Sequence, residues 1–196
     1  MIENVRFRKI KREIRIVGID DGPFIPRTAG KADLIGVVFR GGYWLDGVMR
    51  AKVEVDGLDA TDKIVDMIKD SIHYKQLRVI MLDGITYAGF NIVNIRRLFE
   101  STGLPVIALT KRKADLEDVK NALKNLANWE KRWRDIRDAG GVIELKKGNA
   151  RIYMQTTGIL REDAEKIVEI SSTRSSIPEP LRVAHIVASG FSQTVN

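Results

Sequence analysis

Apolar residues follow two rhythms along this chain, and their alternation predicts a mixed α/β fold. Residues 14–20 read as a buried strand, Leu34–Arg40 as a second and Tyr43–Val55 as a long third. Gly41-Gly42 is a hairpin signal between the second and third, and Asp46-Gly47 suits a bulge inside the third. Gly22, Pro23, Pro26 and Gly30 mark 22–33 as a loop. The rhythm then changes. Ile64, Ile68 and Ile72 form a helical stripe that starts near Asp59–Asp62, with Asp59 or Thr61 as its cap. The unbroken run Leu77–Leu82 reads as a strand covered on both faces. Asn91–Ser101 is a helix closed by Thr102-Gly103, and Leu104–Leu109 is a fifth strand. Asp115 opens a helix with Leu116, Val119, Leu123 and Leu126, and Trp129–Ala139 forms another. A small hairpin is expected around Lys147-Gly148-Asn149, from 142–145 and 151–155. Helices over Arg161–Ser171 and from Pro178 onward complete the chain.

The order βββ-α-β-α-β-α predicts a meander followed by right-handed crossovers. If the fourth strand pairs with the first, the result is a mixed five-stranded sheet of order 3-2-1-4-5, flanked by helices, with the hairpin and last helices appended. Strands one, three and four then run the same way, and each ends in Asp-Gly, at Asp20-Asp21-Gly22, Asp56-Gly57 and Asp83-Gly84. Asp-Gly is an ordinary turn dipeptide, so one copy carries little weight. Asp20 and Asp83, however, end neighbouring strands about 4.8 Å apart. Carboxylates that close repel unless a proton or a divalent cation joins them. Asp56 lies two spacings from Asp20, so Asp59 or Asp62, on the helix that crosses back over the sheet, is the better third carboxylate. This is the ribonuclease H-like arrangement.

Composition narrows the chemistry. The 196 residues, 44% hydrophobic, fit one domain over 1–196. There are no cysteines, which removes disulfides, thiolate zinc sites and cysteine nucleophiles. Two histidines, His73 and His185, give little basis for a histidine-built metal site or a Ser-His-Asp triad; His185 shares a helical side with Leu181 and reads as a core histidine. No apolar run is long enough to span a membrane, and Met1–Arg15 lacks the apolar segment of a signal peptide, so a cytoplasmic protein is expected. The net charge of +7, with acidic strand tips, points to a polyanionic partner, with ion-pair networks as the competing use of so many charges.

The motifs extend the architecture. Val17-Gly18-Ile19-Asp20 resembles the first-strand motif of endonuclease V, which ends in a metal-binding Asp. Leu82-Asp83-Gly84 with Tyr87-Ala88 resembles that family's second Asp motif, and Leu104–Lys111 resembles its next strand, which ends in an active-site Lys. The chain is closer still to an archaeal relative of that family, endonuclease dU. Its signatures are similar to Gly18–Phe24, Val55–Thr61, Asp83–Asn91 and Pro178–His185, nearly the whole length. The chain departs from endonuclease V in two places. Ile68–Gln76 has neither the wedge proline nor the catalytic Glu, and Gly89-Phe90-Asn91 replaces His-Pro-Arg.

The resemblance implies an Mg²⁺-dependent endonuclease, with Mn²⁺ as a substitute, that nicks DNA near a deaminated base, uracil first. Asp20 and Asp83 would hold the metal, Asp59 would supply the missing carboxylate, and Lys111 would meet the scissile phosphate. Tyr87 and Phe90 would meet a flipped base, and Arg112 and Arg182 would contact phosphates. Trp129 and Trp133, at i, i+4 among basic residues, read as an apolar helix face, with base stacking as the alternative. A non-catalytic nucleic-acid-binding module and an inosine-directed ribonuclease remain open as functions.

Overall fold

The computed structural model describes residues 3–147 and 150–191. Its elements are β1 (Arg15–Asp21), β2 (Lys31–Arg40), β3 (Trp44–Glu54), α1 (Ala60–Lys69), β4 (Val79–Asp83), β5 (Thr86–Tyr87), β6 (Asn91–Ile92), α2 (Ile95–Thr102), β7 (Val106–Thr110), α3 (Leu116–Leu123), α4 (Trp129–Asp138), β8 (Ile143–Lys147), β9 (Ala150–Thr157), α5 (Arg161–Ser171) and α6 (Glu179–Gly190). The main sheet has the order β3-β2-β1-β4-β7-β9-β8, and β5 and β6 form a separate ribbon.

The expected meander and crossovers stand as β3-β2-β1-β4-β7, but the sheet has seven strands and not five. The hairpin expected as an appendage continues it. β9 pairs antiparallel with β7 from Val106↔Thr157 to Thr110↔Tyr153. Left as an edge, the apolar β7 would expose unpaired backbone, and the hairpin covers it. Residues 148 and 149 of the expected turn lie outside the described residues. The bulge in β3 falls at Asp46, the extra residue where the β2–β3 register shifts between Val38 and Phe39. Its carboxylate lies 3.0 Å from Arg40 Nε and 3.4 Å from Arg15 Nε.

Side chains alternate across a strand, so the sheet sorts its residues by face. Val17 and Ile19 of β1, with Ile80 and Leu82 of β4, pack against Ile64 and Ile68 of α1 and against Ile95 and Leu98 of α2. Ile16, Val79 and Met81 face the other way, toward Ala164 and Ile167 of α5 and Leu181 of α6. Ala184 and Ala188 of α6 rest on Ile35, Val37 and Phe39 of β2. Gly18 lies at the crossing of α6 over the sheet. A Cβ built there would lie 2.4 Å from the carbonyl carbon and oxygen of Pro180, so only glycine lets the helix come this close.

α1 starts one residue after Asp59, but Asp59 does not cap it. The first helical N–H, of Ala60, donates to Asn91 Oδ1 at 2.9 Å, so a strand residue closes the helix end. Ile72 lies beyond the helix and is 88% exposed, which ends the apolar stripe at Ile68.

Candidate metal centre and the cavity beside it

β1 and β4 run parallel, with Ile16↔Val79 through Ile19↔Leu82 in register. The next pair in that ladder is Asp20 and Asp83. Both therefore leave the sheet at its carboxyl end and on the same face, the one covered by α6. One helical turn past Leu181, α6 presents His185. Its Nδ1 lies 2.8 Å from Asp20 Oδ2. The ligand-capable atoms of Asp20, Asp83 and His185 all lie within 4.8 Å of one another.

The carboxylates are strained electrostatically. Asp20 is 6% exposed, and its other oxygen accepts the Asp21 backbone N–H at 2.9 Å. Loss of water, reinforced by the negative charge of Asp83, pushes the Asp20 carboxyl up to about 6, against the pull of the His185 contact. Asp83 is exposed at the end of β4. Partial loss of water still raises its carboxyl above the ordinary range, opposed by His185 and Lys111. Two carboxylates and an imidazole make a donor set that fits a small divalent cation. Opposed ligands of Mg²⁺ stand about 4.2 Å apart and adjacent ones about 3 Å, so the three groups need to draw together around an ion.

Several residues expected at the site are elsewhere. Asp59 is not in the cluster. Its Oδ1 accepts from Asn91 Nδ2 at 2.7 Å and from the Glu54 backbone N–H at 3.2 Å. The reason is parity: α1 packs on the Val17/Ile19 face, opposite Asp20, so no residue at its start reaches the metal side. Tyr87 is fully buried, and its hydroxyl donates to the Ile19 carbonyl at 3.0 Å. It braces the β1 tip from below and offers no surface to a base. Arg182 donates twice to one oxygen of Glu179, which is itself 2% exposed, so it neutralises a buried carboxylate and is not a free phosphate contact. Phe90 is half-buried against Ile92, Leu123 and Ile136, in the same cluster that takes Trp129 and Trp133. The tryptophans thus form the apolar helix face. Lys111 is exposed just past β7, near enough to act on Asp83.

His185 is the residue that sequence reasoning misplaced. Leu181, Ala184 and Ala188 form the buried stripe along α6 beyond its first turn, and His185, one residue off that stripe, emerges at its border with the side chain 67% exposed. Its presence in the Pro178–His185 signature was the available signal.

The other aspartates hold the rim. Asp21, of opposite parity to Asp20, accepts the Ala88 N–H at 2.7 Å, and Asp56 Oδ1 accepts the Phe90 N–H at 2.8 Å. Gly89 has φ +91, and a Cβ there would meet Asp56 Oδ1 at 2.3 Å. Arg132, 4% exposed, fastens this loop to its neighbour by donating to the carbonyls of Gly57 (2.7 Å), Phe90 (2.5 Å) and Asp56 (2.6 Å). Arg132→Ala leaves four carbonyls without their charged donor, that of Ala127 (3.2 Å from Nε) included, and is expected to cost about 2–4 kcal/mol, read by urea denaturation. Arg132→Lys should restore only part, because an ammonium lacks the planar fork. A loss below about 0.5 kcal/mol would show that the clamp holds nothing.

Gly84, directly after Asp83, opens a cavity of about 450 Å³ on the opposite side of that turn. Thr110, Arg112, Ile136, Tyr153 and Gln155 are among its walls. Two larger grooves, of about 700 and 640 Å³, lie between β3 and α1 and beside β8 and α5, away from the carboxylates.

Residues 12–192 match the sequence model of the endonuclease dU family. The chain belongs to that family. A UPF0215 protein of Methanothermobacter thermautotrophicus is 55% identical over 190 residues, 96% of this chain and 93% of that protein. A UPF0215 protein of Pyrococcus furiosus is 46% identical over 184 residues, 93% of this chain and 94% of that one. A crystal structure of an Archaeoglobus fulgidus protein of unknown function superposes with a TM-score of 0.82 at 39% identity, covering 91% of this chain and 98% of that one. Endonuclease V of Ciona intestinalis, solved with a DNA 24mer containing an inosine followed by a ribo-adenosine, gives a TM-score of 0.63 at 15% identity, with 93% and 87% covered. That likeness establishes the ribonuclease H-like fold of this endonuclease dU member. Among its described residues, no helix is long and apolar enough to cross a membrane.

Proposed function

We propose that this protein is a divalent-metal-dependent endonuclease that cuts DNA beside a deaminated base, uracil first. The observation that carries the proposal is the convergence of Asp20, Asp83 and His185 within 4.8 Å at the carboxyl end of adjacent parallel strands. Held by Asp20, Asp83 and His185, a cation would supply Lewis-acid polarisation of the phosphate and of a water. The chain's own residues do the rest. Asp20 and Asp83 keep raised carboxyls despite the offsetting charges of His185 and Lys111, which favours a bound cation between them. Lys111, whose charge reaches Asp83, would pair with a phosphate oxygen and offset charge gained during cleavage. The cavity at Gly84 supports the base-directed part. It lies one residue from Asp83, has room for a nucleobase, and offers the ring of Tyr153 with Arg112 at its rim. His185 brings an imidazole to an otherwise oxygen-rich set, a combination that suits Mn²⁺ as well as Mg²⁺.

The test is a nicking assay on matched DNA and RNA oligonucleotides carrying uracil, hypoxanthine or only ordinary bases, in Mg²⁺, in Mn²⁺ and in chelator. The expected result is cleavage of uracil-containing DNA in either metal and none in chelator. Cleavage confined to the hypoxanthine-carrying RNA would move the substrate to inosine-containing RNA. Tight binding with no cleavage in any metal would leave a binding module.

A further inference from the structure

One wall of the Gly84 cavity carries a side chain whose polarity the fold decides. Gln155 lies on β9 opposite Ala108 of β7 and lines that cavity. Its carboxamide nitrogen donates to the Gly140 carbonyl at 2.9 Å. Gly140 closes the chain after α4 with φ +79 and lines the same cavity. Turning the amide over would set one carbonyl oxygen against another, losing the bond and replacing it with repulsion. The nitrogen is thereby committed to Gly140. The carboxamide oxygen, which has no partner among the described residues, is the acceptor that Gln155 offers to an occupant.

Deamination changes a base at the matching point. In cytosine N3 and adenine N1 the ring nitrogen is a lone-pair acceptor. In uracil and hypoxanthine the same nitrogen carries a proton, beside a new carbonyl. An acceptor fixed on the pocket wall attracts the protonated nitrogen and repels the lone pair. We propose that Gln155 Oε1 reads the ring N–H created by deamination and so separates deaminated bases from their amino-bearing parents. The proposal rests on the base-directed reading given above and adds to it the group that does the reading. It carries a defined limit. Thymine and guanine also bear a ring N–H, so Gln155 does not exclude them; cytosine and adenine are the comparisons that report on it.

The test measures binding by fluorescence anisotropy in Mg²⁺, with the full chain carrying Asp83→Asn so that DNA is held and not cut. Three single-stranded oligonucleotides differ at one position, which is uracil, cytosine or N3-methyluracil. Uracil is expected to bind about tenfold tighter than either of the others, the discrimination of one well-placed hydrogen-bonding contact. Adding Gln155→Met should bring both ratios to about twofold or less, by weakening the uracil oligonucleotide and relieving the repulsion felt by cytosine. The N3-methyluracil comparison needs no change at Gln155, and equal binding of uracil and N3-methyluracil overturns the proposal by itself. Ratios that survive Gln155→Met overturn the role of Gln155 and leave base-directed cleavage standing. No preference for uracil over cytosine with Gln155 intact removes both the proposal and the base-directed reading on which it rests.

Discussion

Exchanging Asp20 for asparagine is expected to abolish strand cleavage and, in the same molecule, to raise the melting temperature of the metal-free protein. The two effects share one cause. Asp20 is buried beside Asp83, and its carboxyl sits at about 6 instead of the ordinary 3.8. The folded protein thus holds the Asp20 proton more tightly than the unfolded chain does. The stabilising contribution of that proton is complete below about pH 4 and is lost as pH rises through about 6. At pH 8 wild-type protein carries an ionised, poorly solvated carboxylate. Asparagine removes that charge, keeps an acceptor for the Asp21 N–H and can donate to His185 Nδ1. The gain at pH 8 in chelator should be of order 1–3 kcal/mol and should vanish below pH 4. In Mg²⁺ or Mn²⁺ the order should narrow or reverse, because only wild type gains stability by binding the cation. Nicking should fall by at least about 10³-fold, the loss of several kcal/mol of transition-state stabilisation. Calorimetry across pH, with and without metal, beside a nicking assay reads all of this. Wild-type cleavage by Asp20→Asn removes Asp20 from the chemistry. A lower melting temperature at pH 8 in chelator shows that its carboxylate is not under strain.

Adding a single methyl group at Gly18 should disable the same centre from the other side of the contact. The new Cβ would sit 2.4 Å from two backbone atoms of Pro180, where ordinary contact begins near 3.4 Å. Backbone cannot swing aside as a side-chain tip does. The start of α6 must therefore back away from β1 by about an ångström, and His185, about one and a half turns along the rigid helix, moves with it. Overpacking of this kind costs about 1–3 kcal/mol, and a misplacement of about 1 Å at a reacting centre costs about 10²-fold in rate. Gly18→Ala is expected to show both losses. Gly30→Ala, where a Cβ meets nothing within 4 Å, should show neither. Unchanged melting and unchanged nicking in Gly18→Ala would mean that α6 does not set the site.

These particulars show what could be read from the sequence. The adjacency of Asp20 and Asp83 follows from strand order, because two apolar runs that end in Asp-Gly and pair in parallel must finish side by side. The third partner depended on which face each helix covers, and apolar spacing does not carry that information. Asp59 sits where a helix cap belongs, so local chemistry favoured it, yet α1 lies on the wrong side of the sheet. His185 looked like a core residue because it is four positions from Leu181, and a helix stripe is wide enough for its border to be solvent. Tyr87, close to Asp83-Gly84 in sequence, is carried into the core by the two-residue strand it belongs to. The hairpin was legible as a hairpin; that it completes the sheet depended on β7 needing a neighbour, a tertiary requirement.

The in-register pairing of β1 with β4 has a consequence for how this protein tolerates change in length. Deleting or inserting one residue between Arg15 and Asp20 would turn Asp20 toward α1 and swing Ile19 to the metal side. The carboxylate would then be trapped among isoleucines, and the chain would pay twice, in lost folding and in lost chemistry. Strand misalignment therefore yields no half-assembled centre. Correct threading of the first strand is a precondition for any activity at all.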